Sequence, residues 1–115
     1  MTDEAFWKAY REVELALSLR MEEFIKDKKA VETTKNAINE LFSIVSNKLK
    51  EKYKGKEMNE ILYSLFMQNK IPAVTIQEVF DIISFIKNIN SQEPQMIYGM
   101  LVRILEVLEE IYFNA

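Results

Sequence analysis

The chain has 115 residues, a length that suits one domain with a hydrophobic core of its own. It contains neither cysteine nor histidine, which excludes disulfides, thiolate nucleophiles, imidazole bases and metal sites built from those side chains. Its net charge of −3 argues against binding nucleic acid over the whole surface, and no apolar run approaches the ~20 residues that cross a bilayer.

The composition favours a helical fold. Apolar residues make up 49% of the chain, which is enough for a folded core, and two glycines and two prolines suit long helices with few turns. We therefore predict one all-α domain over residues 1–115, a bundle of about five helices, four long or medium and one short. The start of the chain lacks the basic and then apolar pattern of a secretory signal, so we expect a cytoplasmic protein, and no cofactor is predicted.

The first helix is predicted over residues 3–27, with Thr2 or Asp3 as its cap. Leu15 and Leu19 project from its outer side, among charged residues. They are either scattered surface leucines, which are common, or part of a patch that faces a partner. The core stripe of this helix recurs at helical spacing and comprises Phe6, Tyr10, Val13, Leu17, Met21 and Phe24.

A second long helix is predicted from about residue 30 to residue 53, and it ends in a run of lysines. Gly55 follows as a C-terminal cap residue. Because short connections make consecutive helices antiparallel, Lys87 at the end of the fourth helix is expected at the same end of the bundle. The lysines are either a solvated helix end that complements the helix dipole or a site for RNA or a nucleotide. The candidate anion contacts are Lys50, Lys52, Lys54, Lys56 and Lys87.

The best-marked helix start lies at Thr75, after a short third helix predicted over residues 57–69. Thr75 and Glu78 have the spacing of a capping box, and Val74 and Val79 have the spacing of the hydrophobic staple around it. The fourth helix is apolar over more than half of its circumference, so we expect it among other helices or in a subunit contact. Its apolar face is predicted to comprise Ile76, Val79, Phe80, Ile83 and Ile86, widened by Ile82 and Phe85.

The last helix is predicted over residues 95–113. Gly99 lies in its interior, where glycine costs about 1 kcal/mol relative to alanine, and one interpretation is a close helix contact. Val102 projects from its outer side. The chain carries more apolar surface than one core needs, which predicts self-association as a homodimer. The candidate interface residues are Leu15, Leu19, Ile82, Phe85 and Val102.

Residues 57–113 are laid out as a short helix, an Ile-Pro turn, a helix that ends in a charged-plus-Asn loop, and a Leu-rich helix that ends in Ile-Tyr. This layout resembles that of HEPN domains, small all-helical domains found with ribonuclease toxins and nucleotidyltransferase partners. The family's catalytic pattern is Arg, a polar residue and, a few residues later, His. Lys87 stands at the Arg position, Asn88 matches the polar residue, and Gln92-Glu93 lies near the place of the His. The resemblance implies a degenerate, non-cleaving member in which dimerisation and regulatory roles remain.

Two pairs of carboxylates at i and i+3, Glu57 with Glu60 and Glu78 with Asp81, resemble those of MazG-like nucleotide pyrophosphohydrolases. In that family such pairs on facing helices bind magnesium, which prefers oxygen ligands. Here both pairs fall off the apolar faces of their predicted helices, and Glu78 is also used by the capping box. Solvated carboxylates are the better account, and a magnesium-dependent hydrolase is the second alternative.

The preferred prediction is a non-enzymatic protein-interaction or regulatory module that associates with itself. Binding of RNA or a nucleotide at the lysine-rich end is the first alternative, and contact with a membrane is not predicted.

Overall fold

Six α-helices lie between residues 3 and 114, the part of the chain that the computed structural model describes. No strand occurs within those residues, so the predicted all-α class is confirmed. Thr2, one of the two predicted caps of the first helix, lies outside them. Two 3₁₀ turns, Leu15–Ser18 and Ile89–Ser91, interrupt the helical path. The helices are α1 (Glu4–Glu14), α2 (Met21–Lys26), α3 (Lys28–Lys52), α4 (Met58–Met67), α5 (Ala73–Lys87) and α6 (Pro94–Asn114).

The prediction of one continuous first helix is wrong, because the chain breaks between α1 and α2. The backbone is extended at Leu19 and Arg20, and the Leu19 carbonyl accepts a hydrogen bond of 2.6 Å from the Tyr98 hydroxyl of α6. The break turns α2 toward α6, where Phe24 is fully buried beside the Tyr98 ring. Met21, which was predicted for the core, is 38% exposed as a result.

The longest element is α3, and α1, α4 and α6 all pack against it. With 25 residues it is about 38 Å long. Asp27 caps its start, since the Asp27 carboxylate accepts a hydrogen bond of 3.0 Å from the Ala30 amide. Just beyond its other end, Gly55 has a φ of 81°, the left-handed conformation for which a glycine was predicted there. The buried face of α3 comprises Val31, Thr34, Ala37, Ile38, Leu41, Val45, Ser46 and Leu49.

Contacts between α1, α3 and α6 define the two ends of the bundle. At the first, the Asp3 end, the Tyr112 hydroxyl of α6 donates to the Asp3 carboxylate at 3.0 Å, and Lys48 of α3 donates to the Tyr112 carbonyl. Asp3 was the other predicted cap of the first helix, but its carboxylate makes no cap bond with α1. At the second, the Leu19 end, Tyr98 meets Leu19. Thus α1 runs antiparallel to α6, while α3 ends where α6 ends.

Helix α5 begins at the Asp3 end, which corrects the predicted arrangement. Thr75 contacts Glu110 at 3.4 Å and Glu78 pairs with Arg103 at 3.2 Å. Helix α5 therefore runs antiparallel to α6. Lys87 therefore lies at the Leu19 end, and its predicted grouping with the other lysines is wrong. The reason is the length of α4. Its ten residues cover about 15 Å, too little to carry the chain back along α3 before α5 begins.

The predicted capping box is also wrong, because α5 begins at Ala73, two residues before Thr75. Pro72 precedes the helix, and its carbonyl accepts hydrogen bonds of 3.1 Å from the amides of both Thr75 and Ile76. The fixed φ of proline suits this position. Thr75 is 5% exposed and faces α6, so its hydroxyl does not cap α5. Val74, one half of the predicted staple, is 68% exposed.

Candidate protein-interaction surface

An apolar groove of about 300 Å³ runs between α4 and α5. The inward faces of the two helices pack in the core, where Leu62 and Ile82 are fully buried. The sides on which the two helices adjoin remain open to solvent and form the groove. Its lining is mostly apolar, with the amide of Asn59 at one point, and comprises Asn59, Tyr63, Phe66, Ala73, Ile76 and Phe80.

Large apolar side chains are concentrated around this groove. Tyr63 is 64% exposed, and Phe66 and Phe80 are exposed by 39% and 38%. Met67 at the end of α4 and Val74 at the start of α5 are more than half exposed as well. Single exposed apolar residues are ordinary, whereas three exposed aromatic side chains that line one groove mark an interaction site. We name Tyr63, Phe66 and Phe80 the α4–α5 surface.

The face of α5 that is open to a partner differs from the one that the sequence predicted. Its buried residues are Thr75, Val79, Ile82 and Ile86, so the face that meets the core is turned from the one predicted around Ile76 and Phe80. Ile82 was predicted as an interface residue, and this is wrong for the folded chain because Ile82 is fully buried. Phe85 is half-buried and packs on the core. A helix that is apolar on nearly all sides does not reveal from its sequence which side the core will cover.

The other predicted interface residues lie apart from the α4–α5 surface. Leu15 is 66% exposed, and with the half-buried Leu19 it lines a separate groove of about 350 Å³ between α1 and α3. That groove is bordered by polar residues such as Glu12, Asp27 and Thr33. Val102 is 51% exposed on α6. The five residues predicted as one interface are therefore not brought together.

The lysines also separate. Lys50, Lys52, Lys54 and Lys56 are exposed near the end of α3, while Lys87 lies at the opposite end of the bundle. Acidic residues are interspersed with the first four, at positions 51, 57 and 60. The Lys56 ammonium also contacts the Ser64 hydroxyl at 3.3 Å. Four lysines mixed with carboxylates make a weaker anion site than the five that the sequence predicted.

The four carboxylates of the magnesium alternative do not converge. The Glu60 carboxylate accepts a hydrogen bond of 2.9 Å from the Glu57 amide and so caps α4. Glu78 pairs with Arg103 of α6, and Asp81 is exposed. Within residues 3–114, no three or more acidic side chains are grouped so that they could hold a metal ion.

The segment compared with the catalytic pattern of HEPN domains, residues 87–93, begins at the last residue of α5 and continues through the 3₁₀ turn. The Asn88 side-chain amide donates to the Ser84 carbonyl at 2.9 Å, and the Ser91 hydroxyl donates to the Asn88 carbonyl at 2.9 Å. Through these hydrogen bonds, Asn88 stabilises the last turn of α5 and the 3₁₀ turn that follows it.

Comparisons of the chain with protein-family models, with curated proteins and with solved structures find no match. Among the described helices, none combines the length and the hydropathy needed to cross a membrane.

Proposed function

We propose that this protein is a non-enzymatic interaction or regulatory module that acts in the cytoplasm as a homodimer, paired through the α4–α5 surface. The observation that carries the proposal is the exposure of Tyr63, Phe66 and Phe80 around one groove. The absence of cysteine from the sequence suits a reducing compartment.

The size of the surface fits the apolar centre of a dimer contact. An aromatic side chain brings about 150–250 Å², so the exposed parts of the three aromatic rings amount to roughly 300 Å². A stable interface covers roughly 800 Å² on each partner and consists of an apolar centre with a polar rim. A second copy supplies an apolar centre of equal size, because both partners use the same surface in a two-fold contact.

The shape of the surface also suits a second copy. Each chain carries both a groove and, beside it, the protruding ring of Tyr63, which is the type of side chain that anchors interfaces. In a two-fold arrangement the Tyr63 ring of each copy enters the groove of the other. The neighbouring exposed charges are of both signs, with Lys56 just before α4, Glu60 on α4 and Asp81 on α5, so pairing does not oppose two surfaces of one sign.

The resemblance to HEPN domains supports the same conclusion. It covers residues 57–113, which comprise α4, α5 and most of α6, and members of that family can dimerise without being catalytic. With Gln92-Glu93 near the expected His, we infer a catalytically inactive HEPN-like protein whose helices serve in pairing.

The test compares Tyr63→Glu with Leu15→Glu by sedimentation at about 10 μM, where an affinity of roughly −8 kcal/mol gives mostly dimer. The two changes are matched, since Leu15 is 66% and Tyr63 64% exposed. We expect a dimer for the unmodified chain and for Leu15→Glu, and a monomer of unchanged helicity for Tyr63→Glu, because a buried unpaired carboxylate disfavours the contact.

A monomeric unmodified chain at about 100 μM would contradict the proposal, because that concentration detects affinities of about −5.5 kcal/mol. If Leu15→Glu dissociates the dimer and Tyr63→Glu does not, the interface includes Leu15, as the sequence predicted. If both variants remain dimeric, the α4–α5 surface is not the interface.

A further inference from the structure

One amide lies in the otherwise apolar groove between α4 and α5. Asn59 is in the first turn of α4 and is exposed in the single chain. Within residues 3–114, neither the Asn59 amide nor the hydroxyl of Tyr63 has a hydrogen-bond partner. An amide both donates and accepts hydrogen bonds, and a phenol does so too, so each of these groups can satisfy the other.

The dimer proposed above makes the hydroxyl of Tyr63 a group that needs a partner. When the Tyr63 ring of one copy enters the groove of the other, its hydroxyl leaves water together with the ring. A hydroxyl that is buried without a partner loses more free energy than an ordinary hydrogen bond contributes. Apart from Tyr63 itself, Asn59 is the one residue of the described lining with a polar side chain.

We propose that Asn59 of each copy hydrogen-bonds the Tyr63 hydroxyl of the other copy. The inference rests on the proposed dimer through the α4–α5 surface and supplies its central polar contact. Asn59 and Tyr63 are four residues apart on α4, so they are neighbours along one wall of the groove. A ring that enters beside Tyr63 therefore brings its hydroxyl close to Asn59. The two-fold axis produces the same pair twice.

This hydrogen bond makes the groove selective for a second copy of the chain. A ring without a hydroxyl, such as a phenylalanine on another protein, fills the groove but leaves the Asn59 amide buried and unpaired. A site built for hydrogen bonding rejects a ligand that lacks the matching group more strongly than an apolar pocket does. The aromatic rings thus supply the buried area, and Asn59 is the residue that determines specificity.

The experiment mixes Asn59→Leu with a tagged Tyr63→Phe and counts dimers by native mass spectrometry. Alone, each variant should dimerise about fivefold more weakly than the unmodified chain, because a hydroxyl or an amide lacks its partner on both sides of the axis. The mixed dimer restores one hydrogen bond and sets leucine against phenylalanine at the other site. We expect mixed dimers at about three times their random proportion. A bond between Asn59 and Tyr63 within one chain gives no such excess.

Gln77→Leu is the matched control, since Gln77 is an exposed amide on α5 outside the groove lining. Mixed with tagged Tyr63→Phe, it should give dimers in random proportion, and circular dichroism should show unchanged helicity in every variant. Random mixing of Asn59→Leu with Tyr63→Phe, or an Asn59→Leu dimer tighter than the unmodified one, overturns the pairing but leaves the dimer standing. A monomeric unmodified chain at about 100 μM overturns the dimer and this contact together.

Discussion

At the scale of single residues, two roles can be assigned to Thr75, a helix cap or a packed position in the core. The sequence marks it as a helix cap, whereas the structure buries it against Glu110 inside the first turn of α5. We expect Thr75→Ala to cost about 1–2 kcal/mol through the space it leaves in a packed site. Thr75→Val fills most of that space and gives up one long hydrogen bond, so it should cost less than about 1 kcal/mol.

Urea unfolding of the two Thr75 variants checks this prediction. A capping role would make valine and alanine equally costly, at about 1 kcal/mol each, because neither offers an oxygen to the amides of the first turn. Equal losses in the two variants would therefore restore the interpretation from the sequence.

Residue patterns predicted local turns well where the partners are local. Gly55 adopts the left-handed conformation expected after α3. The end of α4 is set by Asn69, which has a φ of 58°. The Asn69 amide donates to Phe66 and the Lys70 amide to Leu65, both at 3.0 Å, which is the Schellman arrangement. The start of α5 was misplaced because Pro72 and Thr75 both carry start signals, and only packing against α6 decides between them.

At the scale of elements, helical periodicity predicted where helices occur, since burial repeats with the helix turn. The break between α1 and α2 could not be predicted in the same way. Phe24 and Tyr98, which hold the turned α2, are far apart in the sequence, and the extended backbone at Leu19 satisfies its carbonyl through that distant hydroxyl. No pattern within residues 3–27 indicates that the helix breaks at Leu19.

Tyr98→Phe tests how the break is held. It removes the donor to the partly buried Leu19 carbonyl and should cost about 1 kcal/mol. For a domain of this size the loss lowers Tm by about 4 °C. Relative to the unmodified chain, hydrogen exchange should speed up more at the amides of α2 than at those of α3, because α2 loses its hydrogen-bonded contact with α6.

The matched control is Tyr63→Phe, which removes a hydroxyl from a residue that is 64% exposed. It should change the free energy of unfolding by less than about 0.5 kcal/mol. Equal effects of Tyr98→Phe and Tyr63→Phe would show that the hydroxyl of Tyr98 does not secure the break.

At the scale of the whole molecule, the sequence predicted the class and the approximate number of helices but not their arrangement. Assuming that every connection reverses the chain placed Lys87 with the lysines of α3, whereas α4 is too short to carry the chain away from the Asp3 end before α5 begins. The candidate site was missed for a related reason. The groove exists only because α4 and α5 adjoin, and the individual apolar positions of Tyr63 and Phe80 do not encode that neighbourhood.

Two tyrosines near the Asp3 end link the stability of the whole bundle to alkaline pH. Burial raises the pKa of Tyr112, and its hydrogen bond to the Asp3 carboxylate raises that pKa further. Burial likewise raises the pKa of Tyr10, with the Glu109 carboxylate adding to the effect. In the unfolded chain both phenols ionise at about pH 10. The folded chain therefore holds these two protons to higher pH than the unfolded chain does.

The sign of the pH dependence follows from proton binding. Below pH 10 both states keep the phenolic protons, so the contribution of Tyr10 and Tyr112 to stability is fully present. As pH rises beyond 10, the unfolded state loses the protons first and the free energy of unfolding falls.

We expect the double variant Tyr10→Phe with Tyr112→Phe to lose stability less steeply than the unmodified chain between pH 9 and about pH 11. Urea unfolding at several pH values measures both slopes, and the two proteins differ only at these two tyrosines. A double variant whose slope equals that of the unmodified chain would show that the two phenols near the Asp3 end are not held protonated by the fold.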